Sequence, residues 1–232
     1  MKSVLITGGT VRLGSAIAAR LRAEGWRVIT ASHRADAGAD LVADLSEPMG
    51  AARLYAAALK LLGGNPPDAL VNNAALFTGD DAAIAAVNLE APKKLTTLMA
   101  GRETGLGAVV NILDSVILGP KDPNDSKDPK DPNDSNDSKD PNRPYLSSKR
   151  ELAAFTRSAA ATFAATLRVN GVAPGPVLAP TGVHVKAGET LLDHRPTSDD
   201  IAAAVSYLLS PESVTGAIIP VDAGQHLLEA GA

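Results

Sequence analysis

The chain has 232 residues, a formal net charge of −4 and a hydrophobic content of 45%. That length and apolar content suffice for one buried α/β core and exclude a disordered chain. The absence of cysteine excludes a disulfide framework, a thiolate nucleophile and a Cys-based zinc site, and the absence of a basic block argues against nucleic acid as a partner.

No run of about eighteen apolar residues offers a membrane span. Met1-Lys2-Ser3 leaves no room for a signal peptide ahead of the first apolar run, so a cytoplasmic protein is expected. No metal site is expected. Only seven aromatic residues are present, which makes the position of each one informative.

Val4–Ile6 predicts the first strand. It runs straight into a glycine-rich turn, Thr7-Gly8-Gly9-Thr10-Val11-Arg12-Leu13-Gly14, and then into a helix over Ser15–Glu24. Glycines at these offsets let backbone approach a pyrophosphate, and the following helix start offers free N–H groups and a partial positive charge. Such a turn also occurs in proteins that bind nothing, but here a strand precedes it and a helix follows. Further strands are predicted at Arg27–Ala31, Leu41–Val42, Ala69–Val71, Ala108–Leu113, Leu167–Val172 and Ala217–Val221. Ala-rich helices alternate with them at Met49–Leu62, Asp81–Met99, Leu146–Ala165 and Ser198–Leu209. This alternation predicts a single Rossmann-type α/β domain over residues 1–232, a doubly wound parallel sheet of about seven strands with helices on both faces. Ligands then bind beyond the carboxyl ends of the strands.

Residues 122–142 break the pattern. They read as seven tandem tripeptides, Asp-(Pro/Ser)-(Asn/Lys), holding seven Asp and three Lys. Their net charge of −4 equals that of the whole chain, so the remainder is neutral. With no apolar residue except proline, the segment cannot join a core and is expected as a solvated low-complexity loop. In an extended polyproline helix successive Asp residues stand about 9 Å apart, too far for one compact calcium cage. Cation or partner binding remains the other reading of the segment.

Tyr145 and Lys149 form a Tyr-x-x-x-Lys pair at the expected start of the helix over Leu146–Ala165. At that spacing both side chains share a helix face. A lysine ammonium beside a phenol favours phenolate, which suits a general acid that protonates an incipient alkoxide or nitrogen anion. An ordinary exposed pair would show the same spacing; the glycine-rich first turn is what favours the catalytic reading.

With these pieces in place, the chain resembles a short-chain dehydrogenase/reductase over essentially its whole length outside the tripeptide repeats. The matching segments follow the family's order: Thr7-Gly8…Gly14, Asp44-Leu45, Asn72-Asn73-Ala74, Asn88, Asn111-Ile112-Leu113-Asp114, Tyr145…Lys149, Val169 to Gly175, and Val221-Asp222-Ala223-Gly224. The resemblance implies Tyr145 as general acid/base, and Lys149 as a further catalytic group that also holds the nicotinamide ribose. It implies a water-linked proton relay supported by Asn88. Gly8, Thr10, Arg12, Leu13 and Gly14 would line the phosphates, Asp44 and Leu45 the adenine, and Asn73 and Ala74 the cofactor near the central sheet. For Asn72 and Asn73, turn chemistry alone is an equal alternative. Pro174, Gly175, Val177 and Thr181 would lie beside the nicotinamide, and the short segment Val177–Arg195 implies a modest substrate lid.

Three departures from the family pattern narrow the expectation. Arg12 stands where the family has its middle glycine. The second strand ends Ser32-His33-Arg34 without an acidic residue, which predicts that Arg34, helped by Ser32 and His33, receives the 2′-phosphate of NADPH. A solvated basic turn is the alternative there. Asp114 holds the place of the usual catalytic serine. These features resemble the pteridine reductase branch, which includes dihydromonapterin reductases. Phe77 then stands where that branch stacks an aromatic on the pterin, a flat face opposite the nicotinamide; packing under its own loop is the alternative. The implied substrate contacts are Phe77, Arg12, Asp114 and Tyr145. The expected activity is NADPH-dependent reduction of a pterin. A carbonyl or 3-oxoacyl reductase, or a nucleotide-binding regulator without turnover, are the alternatives. A homo-oligomer, dimer or tetramer, packed through Asp81–Met99 and Leu146–Ala165 is also implied.

Overall fold

The computed structural model of the protein describes residues 1–103, 105–119, 143–177 and 190–228. The tripeptide repeats at 122–142, Thr181 and most of the expected lid lie outside them.

Seven parallel strands form one sheet in the order β3-β2-β1-β4-β5-β6-β7. They are β1 (Ser3–Thr7), β2 (Arg27–Ser32), β3 (Leu41–Val42), β4 (Ala69–Asn72), β5 (Gly107–Ile112), β6 (Leu167–Pro174) and β7 (Ile218–Val221). Every residue of β1, β4 and β5 is buried, as strands covered on both faces must be. The two-residue period of the strands sorts the core into halves. Val4, Ile6, Val71 and Val110 point to one face, under α1 (Arg12–Ala23) and α6 (Ser198–Leu209) through Ile17, Leu21, Val205 and Leu208. Leu5, Leu70, Val109 and Val169 point to the other. There they meet Leu54 of α2 (Gly50–Leu61), Leu95 and Met99 of α4 (Ala91–Ala100), and Ala159 of α5 (Arg143–Thr162).

The strand order reverses between β1, which pairs with β2 on one side, and β4 on the other. A crevice therefore opens at the carboxyl ends of these strands. Among the described residues no helix is long and apolar enough to cross a membrane.

The predicted strands and helices are all present, and three differences matter for the site. The helix α1 starts at Arg12, not Ser15. Helix α5 starts at Arg143, which puts Tyr145 in its first turn. The helix expected over Asp81–Met99 is broken into α3 (Asp81–Ala85), a π-helical turn (Ala86–Glu90) and α4. Pro92 gives the reason: it has no N–H to donate to Asn88, and its ring crowds that carbonyl. The ladder widens instead, with Ala91 N–H donating to Ala86 O. Single π turns of this kind recur at functional sites, and this one carries Asn88.

One tie was invisible in the sequence. The buried guanidinium of Arg168 on β6 donates to Leu208 O, Leu209 O and Val214 O at 2.9–3.1 Å. It satisfies the last carbonyls of α6, which no intrahelical donor can reach.

Candidate active site

One cavity of about 1170 Å³ opens at the carboxyl ends of the strands. It exceeds the roughly 300–1,000 Å³ of single-ligand pockets, which leaves room for a dinucleotide and a second small molecule. Every residue expected to touch cofactor or substrate within the described segments lines it, and so do Asp114, Tyr145 and Lys149. Asn88 does not.

The first turn is closely built. Gly8 has φ 63, and a Cβ on Gly14 would stand 2.0 Å from Gly8 O. No side chain is possible at Gly14, because α1 rests there directly on the incoming backbone. Asn73 Nδ2 braces the turn, donating to Thr7 O at 3.1 Å and Gly8 O at 3.0 Å. Thr7 Oγ1 accepts in return from Asn73 N and Ala74 N. Asn72 reaches inward, donating to Asn111 Oδ1 at 2.8 Å, and Asn111 donates to Thr156 Oγ1 of α5 at 2.9 Å. Turn and sheet bracing thus occupies both asparagines, with Asn73 also facing the cavity. The start of α1 has no capping side chain and no acidic residue in its first turn. Its free N–H groups and positive end are what a phosphate needs.

Arg12 takes φ 49. This left-handed conformation suits the glycine that the family carries here and costs an ordinary residue about 1–2 kcal/mol. The second basic position is self-paired. Arg34 Nε and Nη2 donate to the two carboxylate oxygens of Asp36 at 3.0 and 2.8 Å, with both side chains exposed. Asp36 was the signal overlooked in the sequence, an acid two residues beyond the expected phosphate ligand. Exposed pairs of this kind are weak, so an incoming phosphate can displace it. Asp44 Oδ1 accepts from Ser46 N and Oγ at 2.8 and 2.6 Å, which holds its carboxyl below the usual range.

At the other end of the cavity, Tyr145 OH donates to Asp114 Oδ2 at 2.9 Å. Asp114 Oδ1 meanwhile caps the 3₁₀ turn Ser115–Leu118 by accepting from Val116 N at 3.0 Å. Lys149 is buried; its Nζ donates to Ile112 O at 2.8 Å and lies 5.6 Å from the Tyr145 ring centroid. These contacts correct one expectation. Tyr145 is not made more acidic here: burial first, then the charge and hydrogen bond of Asp114, push its pKa above the ordinary value. Lys149 bears the shift downward instead. Burial lowers its pKa to about 8, partly opposed by Asp114.

That shift has a consequence for stability. Between about pH 8 and pH 10.5 the unfolded chain holds a proton on Lys149 that the folded protein has released. The contribution of Lys149 to unfolding free energy therefore rises with pH across this window, by up to about 1.4 kcal/mol per pH unit. Urea titrations at pH 7.5, 8.5 and 9.5 should show that slope in the wild type and its loss in Lys149→Met.

Asn88 stands apart from the Tyr145–Asp114 pair. Its amide clamps Leu76, accepting from Leu76 N and donating to Leu76 O, both at 2.8 Å, and Nδ2 also reaches Ser148 Oγ at 3.3 Å. It thereby fixes the loop that carries Phe77. The Phe77 ring lies on that of Tyr145, centroids 4.5 Å apart and planes 25° from parallel, although Phe77 is 56% exposed. Phe77 is thus not packed under its loop; it lines the cavity with its ring laid over the phenol.

A Rossmann-type sheet with a braced glycine turn at its switch point and a Tyr–Lys pair at the same edge defines a class, the nucleotide-dependent oxidoreductases. Comparison with known proteins sharpens this. A family model described as enoyl-(acyl carrier protein) reductase matches residues 136–226. The proposed ketoacyl reductase 2 of the granaticin polyketide synthase of Streptomyces violaceoruber is 30% identical over 259 aligned residues, which cover 97% of this chain and 96% of the relative. Among solved structures, FolM alternative dihydrofolate reductase 1 from Brucella canis, complexed with NADP, superimposes with a TM-score of 0.79 at 29% identity. That match covers 98% of this chain and 95% of the other. A blue fluorescent protein from a metagenomic library, in complex with NADPH, gives 0.77 at 25% identity, covering 97% of each chain. The chain belongs to the short-chain dehydrogenase/reductase family.

Proposed function

We propose that this protein is an NADPH-dependent reductase of a pterin, a dihydropteridine, dihydromonapterin or dihydrofolate-like substrate. The observation that carries the reading is the hydrogen bond from Tyr145 to Asp114 beneath the ring of Phe77. A carboxylate where a ketone reductase has serine suits a basic ring nitrogen, and an aromatic face suits a flat heterocycle.

The uncapped start of α1, the glycine turn and Arg12 would hold the pyrophosphate; Ser32, His33 and Arg34 the 2′-phosphate; Pro174, Gly175 and Val177 the nicotinamide end. When bound, the dinucleotide supplies the hydride that reduces the C=N carbon. The chain supplies the proton. Tyr145, whose raised pKa keeps it a phenol, donates to the nitrogen, and Asp114 orients the hydroxyl. Lys149, charged below about pH 8, offsets the negative charge left on the phenol. Asn88 acts through the Leu76–Phe77 loop. Phe77 leaves Tyr145 to stack on the heterocycle, because at its present separation nothing fits between the rings.

Arg12 tests the phosphate assignment. Arg12→Gly is expected to stabilise the apo fold by about 0.5–1 kcal/mol, since relief of the left-handed strain exceeds the added chain entropy. The same change should raise the NADPH dissociation constant about fivefold through loss of a charged contact. Thermal melts and NADPH fluorescence titration read the two effects separately.

The second reading, a carbonyl or 3-oxoacyl reductase, is favoured by the ketoacyl reductase relative. NADPH oxidation assayed with dihydropterin, dihydrofolate and a ketone panel decides between them. Turnover of ketones alone overturns the pterin reading. NADPH binding without turnover of anything identifies a regulatory protein. Association through the α3–α4 and α5 faces into a dimer or tetramer is proposed with the function, and light scattering measures it.

A further inference from the structure

The turn after β7 holds a residue for which the proposed reaction has no use so far. Asp222 is buried; its carboxylate accepts from Gly224 N at 3.0 Å and His226 N at 2.8 Å, and faces His226 Nδ1 at 2.8 Å. Ala223 has φ 53 and Gly224 φ 83. Two successive left-handed residues persist only where their surroundings over-determine them, and the Asp222 carboxylate does so here. The turn delivers Gln225 to the cavity wall shared by Asp114, Tyr145 and Phe77.

Gln225 is held from the other side by Ser115, the neighbour of Asp114. Ser115 is fully buried, and its hydroxyl donates to Gln225 Oε1 at 3.1 Å. No other acceptor for that hydroxyl is found among the described residues. Turning the amide over would leave a buried O–H unpaired, a costly arrangement. The amide oxygen is therefore committed to Ser115, and the amide N–H groups have no partner among the described residues. The phosphate half of the cavity, Gly8–Gly14 and Ser32–Arg34, lies at the ends of β1 and β2. Gln225 follows β7, at the opposite edge of the sheet.

We propose that Gln225 is a substrate-recognition residue whose amide donates a hydrogen bond to an acceptor, a ring nitrogen or carbonyl oxygen, on the edge of a planar substrate over Tyr145. Ser115 is the positioning residue that fixes which way the amide faces. The inference rests on the reading of this cavity as a reductase site. It adds a selectivity rule: molecules that lack an acceptor at that edge leave the amide unpaired and are rejected.

The test uses the full chain with saturating NADPH, dihydropterin and the ketone panel. Gln225→Ala should raise KM about tenfold, keep kcat within about threefold and leave the NADPH dissociation constant unchanged. The near-isosteric Gln225→Glu, which replaces donors by acceptors, should raise KM further and guards against a folding defect in the alanine variant. Ser115→Ala should raise KM by a smaller factor, and the double variant should match Gln225→Ala alone, because the two residues act as one unit. An unchanged KM in Gln225→Ala, a parallel rise in the NADPH dissociation constant, or additive effects of the two changes each overturn the proposal. The wild type keeps its failure distinct from that of the pterin reading. If only ketones turn over, the pterin reading falls and Gln225 is judged on the ketone KM; if nothing turns over, both fall.

Discussion

Tyr145→Phe is expected to lower kcat by about 10²–10⁴-fold while leaving NADPH binding within about twofold, the size of effect that follows loss of a positioned general acid. The change removes one oxygen and little else. The ring stays in place, because its stacking on Phe77 needs only the aromatic face. Asp114 keeps its bond to Val116 N and loses only the contact with the phenol. Single-turnover measurements with preformed NADPH complex isolate the chemical step from product release. A variant that retained more than about a tenth of wild-type kcat would remove Tyr145 from the proton path.

Asp114→Asn is expected to have the next largest effect, a loss of about 10²-fold in kcat/KM for a C=N substrate. Asparagine still caps the turn at Val116, so the loss is of charge rather than of fold. Two downward shifts then follow from the same loss of negative charge. Asp114 helps to hold the Tyr145 pKa up, so its neutralisation makes the phenol more acidic. Asp114 also holds the Lys149 pKa up against burial, so its neutralisation makes Lys149 lose its proton more readily. The alkaline limb of the kcat/KM profile, set by Lys149 near pH 8 in the wild type, should therefore move to lower pH in Asp114→Asn. A limb that stays in place, or moves upward, would separate Lys149 from Asp114.

Much of the site was legible because its chemistry is local in sequence. The glycine turn, the Ser32-His33-Arg34 strand end and the Tyr145–Lys149 spacing each lie within one element, and each lines the cavity as expected. What was misread depended on partners distant in sequence or on backbone choices that propensity does not reveal. The four-residue spacing of Tyr145 and Lys149 suggested that the ammonium would acidify the phenol. Burial of the phenol first, and then Asp114, brought in by β5 to 2.9 Å from the hydroxyl, reverse that. Asn88 was assigned by resemblance to a proton relay; the sequence did not show that the π turn over Pro92 also makes its amide the clamp on Leu76, with a bond to Ser148.

Alternating apolar strands and Ala-rich helices by themselves determined a parallel sheet covered on both faces, because only that arrangement buries strands with no polar side. Glycine at position 14 likewise followed from sequence, since a turn that tight admits no Cβ. The tertiary structure alone decided which groups touch across the cavity mouth. The ring of Phe77 over Tyr145, the pairing of Arg34 with Asp36 and the hold of Ser115 on Gln225 are contacts of a few ångströms. Those contacts depend on where loops land after the core has packed, and the hydrophobic pattern that fixes the core does not encode that.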